Sequence, residues 1–192
     1  MILKLYITMI PVILGGILNM LFTKTKLYKK YNYPIDKKNI LKDGERLFGD
    51  NKTYIGFASM IIFCSLIQIV CGLILNIFNI NHLSYFYDIY ANGVVYNFFI
   101  GALLGFAYMI CELPNSFIKR RLKIKPGESG KGLFKTLFLI VDQMDSMIGV
   151  MFILFLFSDI TGFQYILFVF IGAFTHIVVN YILYILKIRK RL

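Results

Sequence analysis

Four long stretches without a single Asp, Glu, Lys or Arg set the limits on how this chain can fold. They cover residues 5–23, 53–87, 89–111 and 160–186, and a fifth apolar stretch, 133–157, carries two aspartates and one lysine inside it. Each exceeds the roughly 18 apolar residues that mark a membrane-spanning helix. Backbone polar groups in hydrocarbon must be satisfied within the segment, so such runs are read as helices. Hydrophobic residues make up 58% of the 192, which leaves too little polar surface for a soluble domain of this size. The expected fold is all-α and polytopic. Five transmembrane helices fall at about 5–22, 54–78, 93–113, 133–157 and 163–186, in a single integral membrane domain over 1–192.

The charged residues lie between these runs and alternate. Of 21 Lys and Arg, nine lie in 23–52, six in 119–131 and four at the C-terminus, with Lys4 and Lys135 left over. The links 79–92 and 158–162 hold none. The positive-inside rule then places the N-terminus outside, the C-terminus in the cytoplasm and two basic loops on the cytoplasmic side. The first run is read as a retained helix, because cleaving it as a signal peptide would send the lysine-rich loop across the membrane. The formal charge of +11 is explained by this bias, so nucleic acid is not an expected partner. Cys64, Cys71 and Cys111 lie in or beside apolar runs without metal-ligand spacing and read as buried hydrophobes. Pro11 and Gly15-Gly16 in the first helix read as kinking or close packing. His176 reads as a buried histidine satisfied by a neighbouring helix, and His82 carries no signal.

Three segments carry chemistry. Phe48-Gly49-Asp50-Asn51-Lys52-Thr53 opens the second helix with Thr53 as its N-cap. Glycine, free helix-start N–H groups and lysine suit a phosphate, but spacing alone favours an ordinary basic juxtamembrane turn. In Glu112-Leu113-Pro114-Asn115-Ser116-Phe117-Ile118-Lys119-Arg120-Arg121, an acid at the third helix's end is followed by a proline expected to stop it, then by three consecutive cations. Those cations suit phosphate oxygens, and equally an interfacial stretch on anionic lipid. Asp142 and Asp145 share a helix face about 10–15 Å from its cytoplasmic start. Two carboxylates at that depth cost several kcal/mol unless compensated, and mark function. On the residues alone, metal ligation and proton relay are both open.

Taken together and in order, these segments resemble the CDP-archaeol synthase family. The matching stretches are 43–53, 112–121 with the trailing Lys125-Pro126-Gly127-Glu128, and Asp142-Gln143-Met144-Asp145-Ser146. The last two also look like parts of CDP-diacylglycerol synthases. After Lys52-Thr53 the family usually has Trp-Arg-Gly, whereas this chain has Tyr54-Ile55-Gly56, so one cation is absent. The resemblance implies a CTP-dependent nucleotidyltransferase of the cell membrane, with its active site on the cytoplasmic side. It would join CTP to a membrane lipid phosphate, isoprenoid ether or diacylglycerol type, for phospholipid biosynthesis, and release pyrophosphate. It further implies that Asp142 and Asp145 bind Mg²⁺ and that Lys119, Arg120 and Arg121 hold phosphate oxygens. Gly49, Asn51 and Lys52 would cradle the triphosphate, with Thr53 and Ser116 as further substrate contacts. Glu112 and Asn115 would orient the basic group or a second cation, and Asp43 and Arg46 are weaker substrate-binding candidates. An ester-lipid activity, a small proton-coupled transporter and a non-catalytic scaffold are the rivals. A homodimer is left open.

Overall fold

The computed structural model of the protein describes residues 1–128 and 130–188. The turn at Ser129 and the terminal cations Arg189, Lys190 and Arg191 lie outside the described residues. Six α-helices are present: α1 (Ile2–Phe22), α2 (Lys26–Lys30), α3 (Tyr54–Ile77), α4 (Val94–Arg121), α5 (Leu133–Leu156) and α6 (Gly162–Ile185). No strand occurs among the described residues, only two isolated bridges in the first polar segment. All but α2 are long and apolar enough to cross a membrane, as the five apolar runs predict.

One element departs from the expectation. The third long helix does not stop at Pro114; it continues to Arg121 with Pro114 inside it. A proline here removes one helical hydrogen bond, the one its own N–H would have made. Membrane helices tolerate that loss where neighbouring groups or small backbone adjustments re-satisfy the freed carbonyl. The sequence also gives no warning of α2, a single turn capped by Thr25 Oγ1, which accepts from the Tyr28 N–H at 3.2 Å.

The five long helices pack in chain order, α1 on α3, α3 on α4, α4 on α5 and α5 on α6, while α1 touches α6 only sparingly. The core between them is built from Leu5, Met9, Met60, Cys64, Ile100, Leu104, Met147, Met151, Leu154 and Phe168. The outward faces carry large exposed apolar side chains, among them Ile62, Leu66, Val70, Phe98, Phe152, Phe170 and Phe174. Such a coat suits lipid, where apolar burial no longer drives helix association and close backbone approach takes over. Gly101 supplies that approach between α4 and α3: a Cβ there would lie 2.5 Å from Ser65 Cα and 2.7 Å from the Cys64 carbonyl oxygen.

The end of the bundle away from the basic segments is closed by the link between α3 and α4. Two 3₁₀ turns, Asn81–Leu83 and Tyr85–Tyr87, tuck Phe86 into the core. Tyr87 donates to Asn97 Oδ1 at 2.8 Å and accepts from Gln68 Nε2 at 3.2 Å. Asn97 Nδ2 donates to Asn92 Oδ1, and Asn92 Nδ2 to the Gly72 carbonyl. Lys4 is paired with Asp88 at 2.5 Å. Polar groups at this depth are therefore bonded to one another, as a low-dielectric setting requires.

Gly101→Ala is expected to destabilise the bundle by about 1–3 kcal/mol, because its new methyl group meets backbone that cannot yield. Thermal unfolding in detergent measures this. Gly16→Ala is the internal control, since a Cβ there meets nothing within 4 Å, and it should hold or raise Tm.

Candidate active site

The first polar segment folds around one buried carboxylate, Asp36. Its oxygens accept from Arg46 Nη2 (2.5 Å) and Nε (3.1 Å) and from the backbone N–H groups of Lys38 (3.1 Å), Phe48 (3.1 Å) and Gly49 (3.0 Å). Burial by itself would raise this carboxyl's pKa, but the Arg46 guanidinium and the three amides hold it far below the usual carboxylate range. The Arg46 guanidinium, which also bonds Asp50 at 2.6 Å, is correspondingly raised. Pairing of Ile35 N–H with the Lys52 carbonyl and of Tyr54 N–H with the Tyr33 carbonyl closes the base of the loop. Gly49 has φ +106°, and a Cβ on it would sit 2.8 Å from Pro126 Cγ. The left-handed conformation and the close approach both call for glycine there.

In this architecture several residues of the expected phosphate cradle are already bonded within the loop. The Gly49 N–H is spent on Asp36, and Arg46 is locked between two aspartates. Thr53 is buried and caps α3, its Oγ1 accepting from the Gly56 N–H (3.2 Å) and sharing a hydrogen bond with the Tyr28 hydroxyl (2.9 Å). Arg121 turns back to the loop, bonding Asp43 Oδ2 at 2.7 Å and the Arg46 carbonyl at 2.5 Å. Gly49, Thr53, Arg121, Asp43 and Arg46 therefore shape the loop and do not line the cavity described next. Ile55 does not line it either. Tyr54 keeps a local role, donating its hydroxyl to the Ile35 carbonyl at 3.3 Å.

The extension of α4 beyond Pro114 creates the cavity wall. Glu112, Asn115, Ser116, Lys119 and Arg120 recur at i, i+3, i+4, i+7 and i+8, one face of a continuous helix. They line a cavity of about 320 Å³, with Asn51 and Lys52 from the first loop, Gly127 and Glu128 from the second, and Asp142 and Asp145 from α5. Lys119 Nζ lies 2.6 Å from each oxygen of Asp142. Asn115 Nδ2 bridges the two acids, at 2.7 Å from Asp142 Oδ1 and 2.8 Å from Asp145 Oδ2. Lys52 is ion-paired with Glu112. Arg120 is buried, yet its Nε and Nη1 have no hydrogen-bond partner, and neither has Asn115 Oδ1 or Ser146 Oγ. Buried orphan donors on a guanidinium are costly unless something fills the space beside them.

The far wall was not marked in the sequence as functional. His176, read as a histidine satisfied by a neighbouring helix in preference to a base or substrate contact, shares a hydrogen bond with Tyr108 at 3.0 Å through Nε2 and lies 3.5 Å from the Gln143 carbonyl through Nδ1. Tyr108, Thr175, His176 and Asn180 all line the cavity. Single polar residues scattered on apolar helices carry no spacing signal, so only the packing of α4 and α6 each onto α5 brings them together.

The donor set can be tested against a metal. Among the described residues no group of three or more His, Cys, Asp or Glu side chains forms a protein-only metal site. Two carboxylates with an orphaned amide oxygen, Asn115 Oδ1, are hard donors that leave coordination positions for other ligands. That is how Mg²⁺ is commonly held, by one or two carboxylates plus substrate phosphates. The residues fit such an ion.

Comparison with known proteins places the chain in a family. A family model described as CarS-like, CDP-archaeol synthase, matches residues 1–191. A CDP-archaeol synthase of Methanocaldococcus jannaschii is 30% identical over 81% of this chain and 81% of its own length. One of Saccharolobus islandicus is 31% identical over 84% and 82%. One of Thermofilum pendens is 28% identical over 82% of this chain, which spans only 64% of that relative's length. A solved structure described as an intramembrane enzyme for archaeal membrane lipids biosynthesis superposes with a TM-score of 0.58 over 91% of this chain and 90% of that one, at 22% identity, a likeness of fold. The chain belongs to the CDP-archaeol synthase family.

Asp36→Asn should loosen the first loop, at a cost on the order of 1–3 kcal/mol for a pair whose arginine is partly exposed. Limited proteolysis within 34–53 should accelerate. The sign of the pH dependence follows from the depressed pKa: Asp36 stabilises the fold fully above its ordinary value of 3.8 and ceases to do so only as pH falls through its lower folded value. Loop protection in the unmodified protein should therefore persist at pH 5.

Proposed function

We propose that this protein is a CTP-dependent nucleotidyltransferase of the membrane, joining a cytidylyl group to a lipid phosphate to make a CDP-activated lipid of the archaeol type. The observation that carries the reading is the cavity itself. It brings Lys52, Lys119 and the partly unpartnered Arg120 to the same space as Asp142 and Asp145, within a bundle coated for lipid. Membership of the family, and relatives named as CDP-archaeol synthases, support the same reading. A proton relay needs neither a basic mouth nor orphaned guanidinium donors, and a scaffold needs no cavity. The lysine-rich loops at the mouth support a cytoplasmic opening and a cell-membrane location by the positive-inside rule.

In the reaction, an oxygen of the lipid phosphate forms a bond to the α-phosphorus of CTP. The bond from that phosphorus to the oxygen bridging to the β-phosphorus breaks, and pyrophosphate leaves with the electron pair. The attacking oxygen is already anionic, so no general base is required. Such transfers depend on positioning and charge neutralisation. Arg120 presents its free donors to phosphate oxygens, with the planar fork that suits bidentate contact. Lys52 and Lys119, held in place by Glu112 and Asp142, keep two further positive charges at the cavity wall. Asn51 stands at the mouth as a neutral contact. Asn115 fixes the separation of the two aspartates. Asp142, Asp145 and Asn115 Oδ1 would hold a divalent cation, Mg²⁺ by their donor chemistry, which supplies positive charge to the phosphates when bound.

Purified protein supplied with labelled CTP, Mg²⁺ and an ether-lipid phosphate should form a CDP-lipid and pyrophosphate in equal amounts. Asp142→Asn should lower kcat/KM by about 10²–10³-fold, the cost of losing a preorganised charge at the reacting phosphates; unchanged turnover would remove it from the site. Arg120→Ala should weaken use of phosphate substrates. Arg121→Ala should instead act through the loop, increasing its protease sensitivity, because Arg121 is bonded to Asp43 and the Arg46 carbonyl.

A further inference from the structure

Between the two cavity acids, α5 carries a residue that faces another way. At 3.6 residues per turn Asp142 and Asp145 are about 60° apart, and Gln143 lies roughly 130° from their midpoint. The acids bond to α4, whereas Gln143 bonds to α6: its Oε1 accepts from Asn180 Nδ2 at 2.8 Å, and both side chains are buried. The Gln143 backbone carbonyl makes a second contact with α6, His176 Nδ1 at 3.5 Å. A carbonyl can only accept, so Nδ1 carries the imidazole proton and Nε2 accepts from the Tyr108 hydroxyl. His176 and Asn180 are four residues apart and share one face of α6. Further along, Met147 and Met151 of α5 pack against Gly172 of α6, where a Cβ would lie 3.0 Å from Met147 Sδ and 3.1 Å from Met151 Cε. Thioether chains adapt to many rotations and specify none.

We infer that Gln143 and Asn180 are positioning residues, whose amide–amide bond fixes the rotation of α5 and so the aim of Asp142 and Asp145 at a divalent cation in the cavity. The inference rests on the functional reading above and adds to its site two groups that act through the acids. A buried amide pair between apolar helices selects one geometry among otherwise similar packings, as a buried Asn fixes register in a coiled coil. Groups at the surface of a helix ride about 5–6 Å from its axis, so a rotation of about 10° moves a carboxylate by about 1 Å. A misplacement of that size can cost about 100-fold in rate. Asn115 and Lys119 hold the acids from α4, and Asn180 holds the same stretch of α5 from the other side. Without the α6 bond, the acids are held from α4 alone.

Removing both amides separates positioning from stability. Gln143→Leu with Asn180→Leu deletes the bond without stranding a polar group, so Tm in detergent should hold or rise. Mn²⁺ affinity, measured by calorimetry with CTP present and no lipid phosphate, should nevertheless fall about tenfold, and kcat should fall about 30-fold. The exchange Gln143→Asn with Asn180→Gln keeps both amides and the same number of methylenes between the helices. It should bring Mn²⁺ affinity back to within about threefold of the unmodified protein and recover most of the turnover. If the doubly leucine-substituted protein does not fold, Asn180→Ser, too short to reach Gln143, takes its place with the same expectations. A folded variant without the bond that keeps both Mn²⁺ affinity and kcat overturns the inference and leaves the pair as packing. A raised lipid KM in Asn180→Leu, with Gln143→Leu silent, overturns it too and makes Asn180 a substrate contact. If the unmodified protein binds no Mn²⁺ with CTP and forms no CDP-lipid, the functional reading itself fails, and this inference with it.

Discussion

Two carboxylates inside a membrane helix must be neutralised, and the arrangement of α4 against α5 follows from that need. Asp142 and Asp145 would be prohibitive in hydrocarbon if left alone. Lys119 answers the first, and Asn115 ties both together from the neighbouring helix. The cluster acts as a polar clasp between two helices that otherwise meet through small and flexible apolar residues. It also gathers charge: a cation bonds one carboxylate, and an amide ties that carboxylate to a second, beside a cavity.

The clasp exists only because α4 continues through Pro114. A helix ending there would scatter Asn115, Lys119 and Arg120 over a loop. Continuing it sets all three on one face, a turn apart. A helix-interior proline costs about 3 kcal/mol or more in water, and membrane helices tolerate it where neighbours re-satisfy the freed carbonyl.

Not every cation near the cavity serves it. Arg46 and Arg121 are held by Asp36, Asp50, Asp43 and a backbone carbonyl, and they build the loop that carries Asn51 and Lys52 to the mouth. Arg120, one residue before Arg121, points the other way and keeps donors free. Adjacent residues on a helix differ by about 100° in direction, so three consecutive basic residues cannot share one task. Charge near the cavity is thereby divided between arginines that build the loop and basic residues that face the cavity.

Read alone, the sequence determined the class of the molecule, its five spans and the polar segments that contribute to the cavity wall. Hydropathy over some twenty residues is a local property, and the cost of a charge in lipid needs no partner to be known. Thr53 as a helix cap was legible for the same reason, because capping is read from neighbours in the chain. What the sequence could not resolve was how each polar side chain spends its bonds. Asp36 looked like one acid among lysines, and Gly49 like a free phosphate cradle, until the loop closed and joined them. Tyr108, His176 and Asn180 stood alone on apolar helices, and only the packing of α4, α5 and α6 made them one wall. Those pairings link residues tens of positions apart, so they depend on which helix faces which. The tertiary structure alone decided that, and with it which of the basic residues are left to meet a phosphate.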